Sequence, residues 1–329
     1  MLISDVERAA GRIAGRAIRT PVLRLPALDA AVGAKVALKA EMYQHSNAFK
    51  FRGALNKMLM LGPASLRRGV VAGSSGNHGR AVAQLAESFG VPALLVLPRD
   101  VSELKLAAVR RHGATVVTYD PESDDRDTIT AALAAERGLP VLPSSDDPDV
   151  AAGHGTVALE LFADAGHLDQ LIVPVGGGGL AAGCATVAKA LNPTIKVIGV
   201  EPEDADDTAR SLRAGRRVIV PPPRTLADGL RHRTPGRFTF DVNRALLDGI
   251  ETVSDHEIAG AMGFLWKHDR LVVEPSGACA AAAVLRLRAG APEERIGVVL
   301  SGGNIAVDRF HEIIGSVRSG ERMMSVLES

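Results

Sequence analysis

Short apolar runs recur along this chain at 35–40 (KVALKA), 69–73 (GVVAG), 91–98 (VPALLVLP), 114–119 (ATVVTY), 170–176 (QLIVPVG), 195–202 (IKVIGVEP) and 295–303 (RIGVVLSGG). They are continuous rather than alternating, which is how strands buried on both faces of a parallel sheet look. Between them lie amphipathic or Ala-rich stretches of helical period, at 78–89, 102–112, 126–137, 156–165 and 180–191. That rhythm predicts an α/β fold, parallel sheets with helices on both faces. Two stretches break it. Residues 142–156 (LPSSDDPDVAAGHGT) are polar and turn-rich, and 218–237 carry three consecutive prolines with no helical period. Both read as linkers.

Composition narrows the field. The 329 residues are 46% apolar and 23% charged with zero formal net charge, which fits a globular protein of two domains and removes nucleic acid and anionic membrane as expected partners. The first residues show no signal-peptide pattern, and no apolar run is long enough to span a bilayer. Cys184 and Cys279 sit in Ala/Gly-rich stretches and read as reduced core residues, so a cytoplasmic location is expected. Little chain follows the last glycine motif, and no regulatory domain is expected there.

Several motifs then stand out. Gly176, Gly177, Gly178 and Gly179 follow a strand and precede a helix. Consecutive glycines turn backbone N–H groups toward one point at the positive end of a helix, a phosphate cradle; Gly176-x-Gly178-x-x-Ala181 also fits a dinucleotide fingerprint, with Glu201 beyond it. Ser74, Ser75, Asn77 and His78 lie in SSGNHG between a strand and a helix, where they suit either a carboxylate receptor or an elaborate N-cap. Ser301 ends a strand before two glycines, and Glu274 stands at a strand-to-helix junction. Glu201, Glu203, Asp204, Asp206 and Asp207 crowd another strand end, as a solvated helix start or as a hard-cation site. One of only eight lysines, Lys50, lies between Phe49 and Phe51. An apolar pocket lowers an ammonium's pKa and makes it a nucleophile and base. A phosphate cradle, a carboxylate receptor and such a lysine together point to pyridoxal phosphate.

In this order the motifs resemble the fold-type II pyridoxal-phosphate enzymes (tryptophan synthase beta-like), above all the serine/threonine dehydratase and serine racemase branch. The resemblance runs from 18 to 308. It implies two three-layer domains with parallel sheets: a large cofactor-binding domain of residues 1–45 and 148–329, and a small mobile domain of 46–147. It implies β-elimination, the dehydration and deamination of a β-hydroxy amino acid such as L-threonine or L-serine to a 2-oxo acid and ammonia. Serine racemisation and 3-hydroxyaspartate dehydration are alternatives on the same scaffold. A more distant one, an NAD-dependent dehydrogenase, leaves Lys50 unexplained.

The resemblance also distributes roles. Lys50 is the Schiff-base lysine and base on one face of Cα, and Ser75 the acid/base on the other. Phe49 packs by the cofactor, Asn77 bonds its ring hydroxyl, and Ser301 meets the pyridine nitrogen. Gly176 to Gly179 with Leu180 hold the phosphate, and Glu274 lines the cofactor site. Ser74, Ser75, Asn77 and His78 surround the substrate carboxylate. Glu201, the Ala205 carbonyl and Asp207 match the branch's divalent-cation site, usually Mg²⁺. A homodimer is expected. Three stretches depart from the pattern. Ser46-Asn47-Ala48 replaces the usual Thr-Gly-Ser/Ala, and Asn tolerates a left-handed turn. His154 stands where glutamine is usual, read as a packing substitution. The loop 227–236 is more basic than serine or threonine requires. Arg126 aligns with an arginine that faces the substrate's distal end in the serine racemase-like branch. With that loop it reads either as a surface arginine or as a reader of a second substrate carboxylate.

Overall fold

The computed structural model describes residues 1–316 apart from Ser75, Ser102, Pro121, Glu122 and 288–290. Nine strands form two sheets among the described residues: β1 (Val22–Leu23), β2 (Lys35–Ala40), β3 (Val70–Gly73), β4 (Ala93–Pro98), β5 (Thr115–Tyr119), β6 (Gln170–Pro174), β7 (Lys196–Pro202), β8 (Gly249–Val253) and β9 (Arg295–Leu300). The large sheet has the order β1-β2-β9-β6-β7-β8 and the small one β3-β4-β5. All neighbours are parallel except the two-residue β1, which runs antiparallel to β2 at one edge.

Both sheets are covered on both faces. In β2, Val36, Leu38 and Ala40 pack into one cluster with the helices Asp255–Asp269 and Pro275–Leu287. Ala37 points the other way, against Pro148–Ala165 and Gly179–Leu191. In β4, Leu95 and Leu97 face the helices Lys50–Leu66 and Asn77–Phe89, while Leu94 and Val96 face Ala134 of Arg126–Arg137. Each fully buried leucine or valine contributes about 1.5–3 kcal/mol, so the continuous apolar runs are what hold the three-layer packing. No helix among the described residues is long and apolar enough to cross a membrane.

One expectation needs correcting. The stretch 142–156 is not a linker throughout, because a helix begins at Pro148 and runs to Ala165. Asp147 caps it, its carboxylate accepting from the Asp149 and Val150 amides, and proline at the first helical position needs no N–H partner. This helix carries half of a buried ion network. Arg52, fully buried, grips Glu41 through Nε (2.8 Å) and Nη2 (2.9 Å), and Glu160 through Nη1 (2.7 Å) and Nη2 (2.8 Å). Lys39 Nζ donates to the same Glu160 (2.7 Å) and to the Thr20 carbonyl (2.6 Å). The network fastens the helix that Lys50 begins to β2 and to Pro148–Ala165.

Candidate active site

The carboxyl ends of β2, β3, β6 and β9 lead into the motifs singled out above, the crevice position where open parallel sheets bind ligands. Lys50 is launched from a tight turn in which Ser46 and Asn47 both take φ +56°, so asparagine does supply a left-handed residue. The turn is stitched to the end of β9: the Phe49 amide donates to the Ser301 carbonyl (3.1 Å), and the Gly303 amide to the Asn47 carbonyl (3.0 Å). Lys50 Nζ donates to the Ser144 carbonyl at 2.5 Å and lies 5.0 Å from the centre of the Phe49 ring. Burial lowers its pKa to about 8. Only one of the flanking aromatics addresses the amine. Phe51 turns into the core of the small sheet and packs against the His45 ring, because residues two apart at a helix start point to nearly opposite sides.

At three of the four glycines the turn leaves no room for a side chain. Gly178 has φ +82° and caps the helix Gly179–Leu191. A Cβ on Gly177 would overlap Ser145 Oγ; on Gly178 it would stand 2.7 Å from Asn243 Nδ2, and on Gly179 2.7 Å from the Ser145 carbonyl. Thr239 Oγ1 donates to the Gly177 carbonyl (2.8 Å) and Asn243 Nδ2 to that of Gly178 (3.2 Å), which leaves the amide side of the turn for an anion. Leu180 is buried in the core cluster beneath it. His232, half-buried, brings its Cδ2 within 3.0 Å of a Cβ on Gly176.

The surroundings are electropositive. His78, His154 and His232 all have lowered pKa values, His78 to about 3 and His232 to about 4, first through burial and then through the charge of Lys50. Burial alone shifts Lys50, with no carboxylate acting on it. A glycine cradle at a helix N-terminus beside an uncompensated ammonium fits the phosphate and aldehyde of pyridoxal phosphate.

The loop after β3 is only partly as expected. Ser75 lies outside the described residues. Ser74 Oγ accepts from the Gly76 amide at 3.3 Å. His78 is buried behind the loop, with Nε2 2.8 Å from the Leu142 carbonyl, so its ring does not reach out to a substrate carboxylate. Asn77 is held at both ends of its amide: Nδ2 donates to Glu274 Oε1 (2.5 Å), and Oδ1 accepts from Asn304 Nδ2 (2.6 Å). Asn304 also donates to the Ser46 carbonyl, tying the lysine turn to this amide. It was missed in the sequence, where its place directly after Ser301-Gly302-Gly303 was the available signal. Burial raises the Glu274 pKa to about 8, so this acid keeps its proton near neutrality. Ser301 Oγ is buried and makes one long contact, 3.4 Å to the Ser276 carbonyl.

Arg126 begins its helix with its stem against the end of β3: a Cβ on Gly73, the residue before Ser74, would meet Arg126 Cγ and Cδ at 3.1 Å. The guanidinium pairs with exposed Asp127 at 2.8 Å, and its charge lowers both His78 and His232. The acidic cluster divides. Glu203 and Asp204 are exposed, and Asp206 pairs with Arg210 at 2.7 Å. Glu201 and Asp207 are fully buried beside buried Ala205. Glu201 accepts from the Thr208 (3.0 Å) and Ala209 (2.9 Å) amides, while neither oxygen of Asp207 has a partner. Burial, and for Glu201 the charge of Asp207, raise these acids to about 8 and about 7. No group of three or more His, Cys, Asp or Glu side chains able to hold a metal occurs among the described residues. An orphaned buried carboxylate nevertheless fits a cation that keeps several waters.

Residues 13–302 match the family model described as pyridoxal-phosphate dependent enzyme. The chain is 41% identical to an L-threo-3-hydroxyaspartate ammonia-lyase of Saccharomyces cerevisiae over 96% of its length and 97% of the relative's. It is 40% identical to a serine racemase of Schizosaccharomyces pombe over 93% and 95%. Among solved structures, a threonine deaminase from T.th. superposes with a TM-score of 0.88 at 44% identity, covering 93% of this chain and 99% of that one.

Proposed function

The chain belongs to the pyridoxal-phosphate-dependent enzymes, and from that premise we propose that it eliminates the β-hydroxyl of a β-hydroxy amino acid with a second carboxylate, 3-hydroxyaspartate, releasing a 2-oxo acid and ammonia. This moves the substrate from serine or threonine to the dicarboxylic alternative. The observation that carries it is Arg126, whose stem rests on Gly73 directly before the carboxylate-binding Ser74 and whose charge reaches into the site. Two relatives at 41% identity are named for that substrate. A dinucleotide-binding dehydrogenase is set aside by the family assignment.

The glycine turn 176–179 and the helix dipole behind it would hold the cofactor phosphate, with Lys50, Phe49, Asn77, Glu274 and Ser301 around the ring. When bound, pyridoxal phosphate supplies the conjugated ring that draws electrons from Cα. The protein does the rest. Ser74 and the amides opening the helix Asn77–Phe89 receive the α-carboxylate. The Lys50 amine, with a pKa near 8, is partly unprotonated at neutrality and takes the Cα proton. The β-hydroxyl leaves as water with a proton from solvent, and the product enamine hydrolyses to 2-oxo acid and ammonia. Ser301, a neutral hydroxyl, would meet the pyridine nitrogen, and Glu274 behind Asn77 keeps its proton, so neither would place an anion on the ring. In this reading the unit 46–147 closes over the substrate and excludes water, and its Lys105 pairs with Asp228 of the remaining chain at 2.6 Å.

The test is a pair of assays. Arg126→Ala should cut turnover of 3-hydroxyaspartate by about 10- to 100-fold, the worth of a charged hydrogen bond, while serine turnover changes less than about threefold. Equal losses on both substrates reject the second carboxylate. Chiral analysis of unconsumed substrate in the same assay reads out racemisation.

The reading includes Mg²⁺ at Glu201, Asp207 and the Ala205 carbonyl. Adding the cation to chelated protein at about a hundred times its Kd should stabilise the fold by about 2.7 kcal/mol, seen as a rise in Tm. Asp207→Asn should abolish that rise; a rise that persists in Asp207→Asn rejects the site.

A further inference from the structure

His154 is fully buried in the helix Pro148–Ala165, and neither ring nitrogen has a hydrogen-bond partner. Leaving such a group unpaired costs about 1–3 kcal/mol, so a buried imidazole with two idle nitrogens calls for a partner that arrives later. Its surroundings say which. One edge of the ring presses on the helix that Lys50 begins: a Cβ on Gly53 would overlap Nε2. The other edge faces the glycine turn, with Nδ1 3.3 Å from where a Cβ on Gly179 would stand. The ring meets Phe49 edge to face, 4.7 Å between centroids. His154 is therefore wedged between the Schiff-base lysine's helix and the N-terminus of the phosphate-binding one.

We propose that His154 is a cofactor-binding residue, a neutral donor whose Nδ1–H completes the phosphate cradle. The tautomer follows from the packing. Nε2 is closed off by the helix that Lys50 begins, where a Cβ on Gly53 would overlap it, while Nδ1 faces the glycine turn. The proton therefore belongs on Nδ1, the cradle side. The Ser145 carbonyl also borders Gly179, but it does not accept from this nitrogen. Burial, with the charges of Lys50, His78 and Arg52, keeps the imidazole uncharged. It contributes a directed hydrogen bond and not a second cation, and Gly53 is required because any side chain there would displace it.

The inference rests on the cofactor assignment and is independent of the substrate. The full chain is prepared as holoenzyme, and dissociation constants are measured by equilibrium ultrafiltration for pyridoxal phosphate and, after exchange, for pyridoxal, which lacks the phosphate. His154→Leu should weaken pyridoxal phosphate by about 10-fold or more and leave pyridoxal within about twofold. His154→Gln retains an N–H donor and should stay within about threefold of wild type on both. The proposal is overturned if His154→Leu binds pyridoxal phosphate as wild type does, if both ligands weaken equally, or if His154→Gln loses as much as His154→Leu. A wild-type protein that binds no pyridoxal phosphate overturns this together with the family reading; one that binds it but spares 3-hydroxyaspartate overturns only the substrate.

Discussion

Replacing Lys50 with alanine should remove the yellow colour of the purified protein and lower elimination by at least about 10³-fold, the contribution of a positioned general base at the upper end of its range. Both effects come from one atom. Nζ lies over the Phe49 ring and is held at 2.5 Å by the Ser144 carbonyl in an environment that makes it nucleophilic. Absorbance, 2-oxo acid release, and the mass of the peptide carrying position 50 after borohydride reduction measure the two effects and the attachment point. A Lys50→Ala protein that keeps turnover would dismiss the assignment. The intact enzyme should gain rate as pH rises through about 8, because the base works only when it has lost its proton, and should level off above. Arginine at this position would restore the charge without a usable base.

The features readable in the sequence are those set by neighbours along the chain. A strand, four glycines and a helix follow one another without a break, so the turn at 176–179 was legible in the sequence. Continuous apolar runs marked β2, β4, β6 and β9 for the same reason. What stayed hidden depends on which face a residue presents and on partners far away. Phe49 and Phe51 look equivalent in the sequence, yet one meets the amine and the other the core. His78 was expected beside the substrate carboxylate, and what the sequence did not show is that its Nε2 turns back onto the Leu142 carbonyl. The acidic run 201–207 looked like one cluster, and the helix that begins at Asp207 splits it into two inward carboxylates and three outward ones. Polar residues near 147 suggested a linker until Asp147 and Pro148 turned out to be the cap and first residue of a helix.

Arg52 was the deepest of these omissions, and its substitution should carry the largest cost in stability. It lies two residues beyond Lys50, in the first turn of the same helix, and is closed to solvent: its guanidinium makes paired contacts with Glu41 and Glu160, and further ones with Thr156, Thr20 and the Ile18 carbonyl. These charges raise its own pKa, against the lowering that burial imposes. Arg52→Met would strand the fully buried Glu41 without its paired guanidinium, and removing one partner of such a pair costs about 3–5 kcal/mol, readable as a lower Tm and denaturant midpoint. Arg52→Lys should recover little, since a single ammonium cannot engage two carboxylates in pairs. Removing both charges separates desolvation from packing: Arg52→Met with Glu41→Gln should be more stable than Arg52→Met alone, because no bare carboxylate remains. If the double variant is the less stable, then the Glu41 carboxylate still stabilises the fold through Thr20 Oγ1 and the charge of Lys39, and a stranded charge is not the source of the loss.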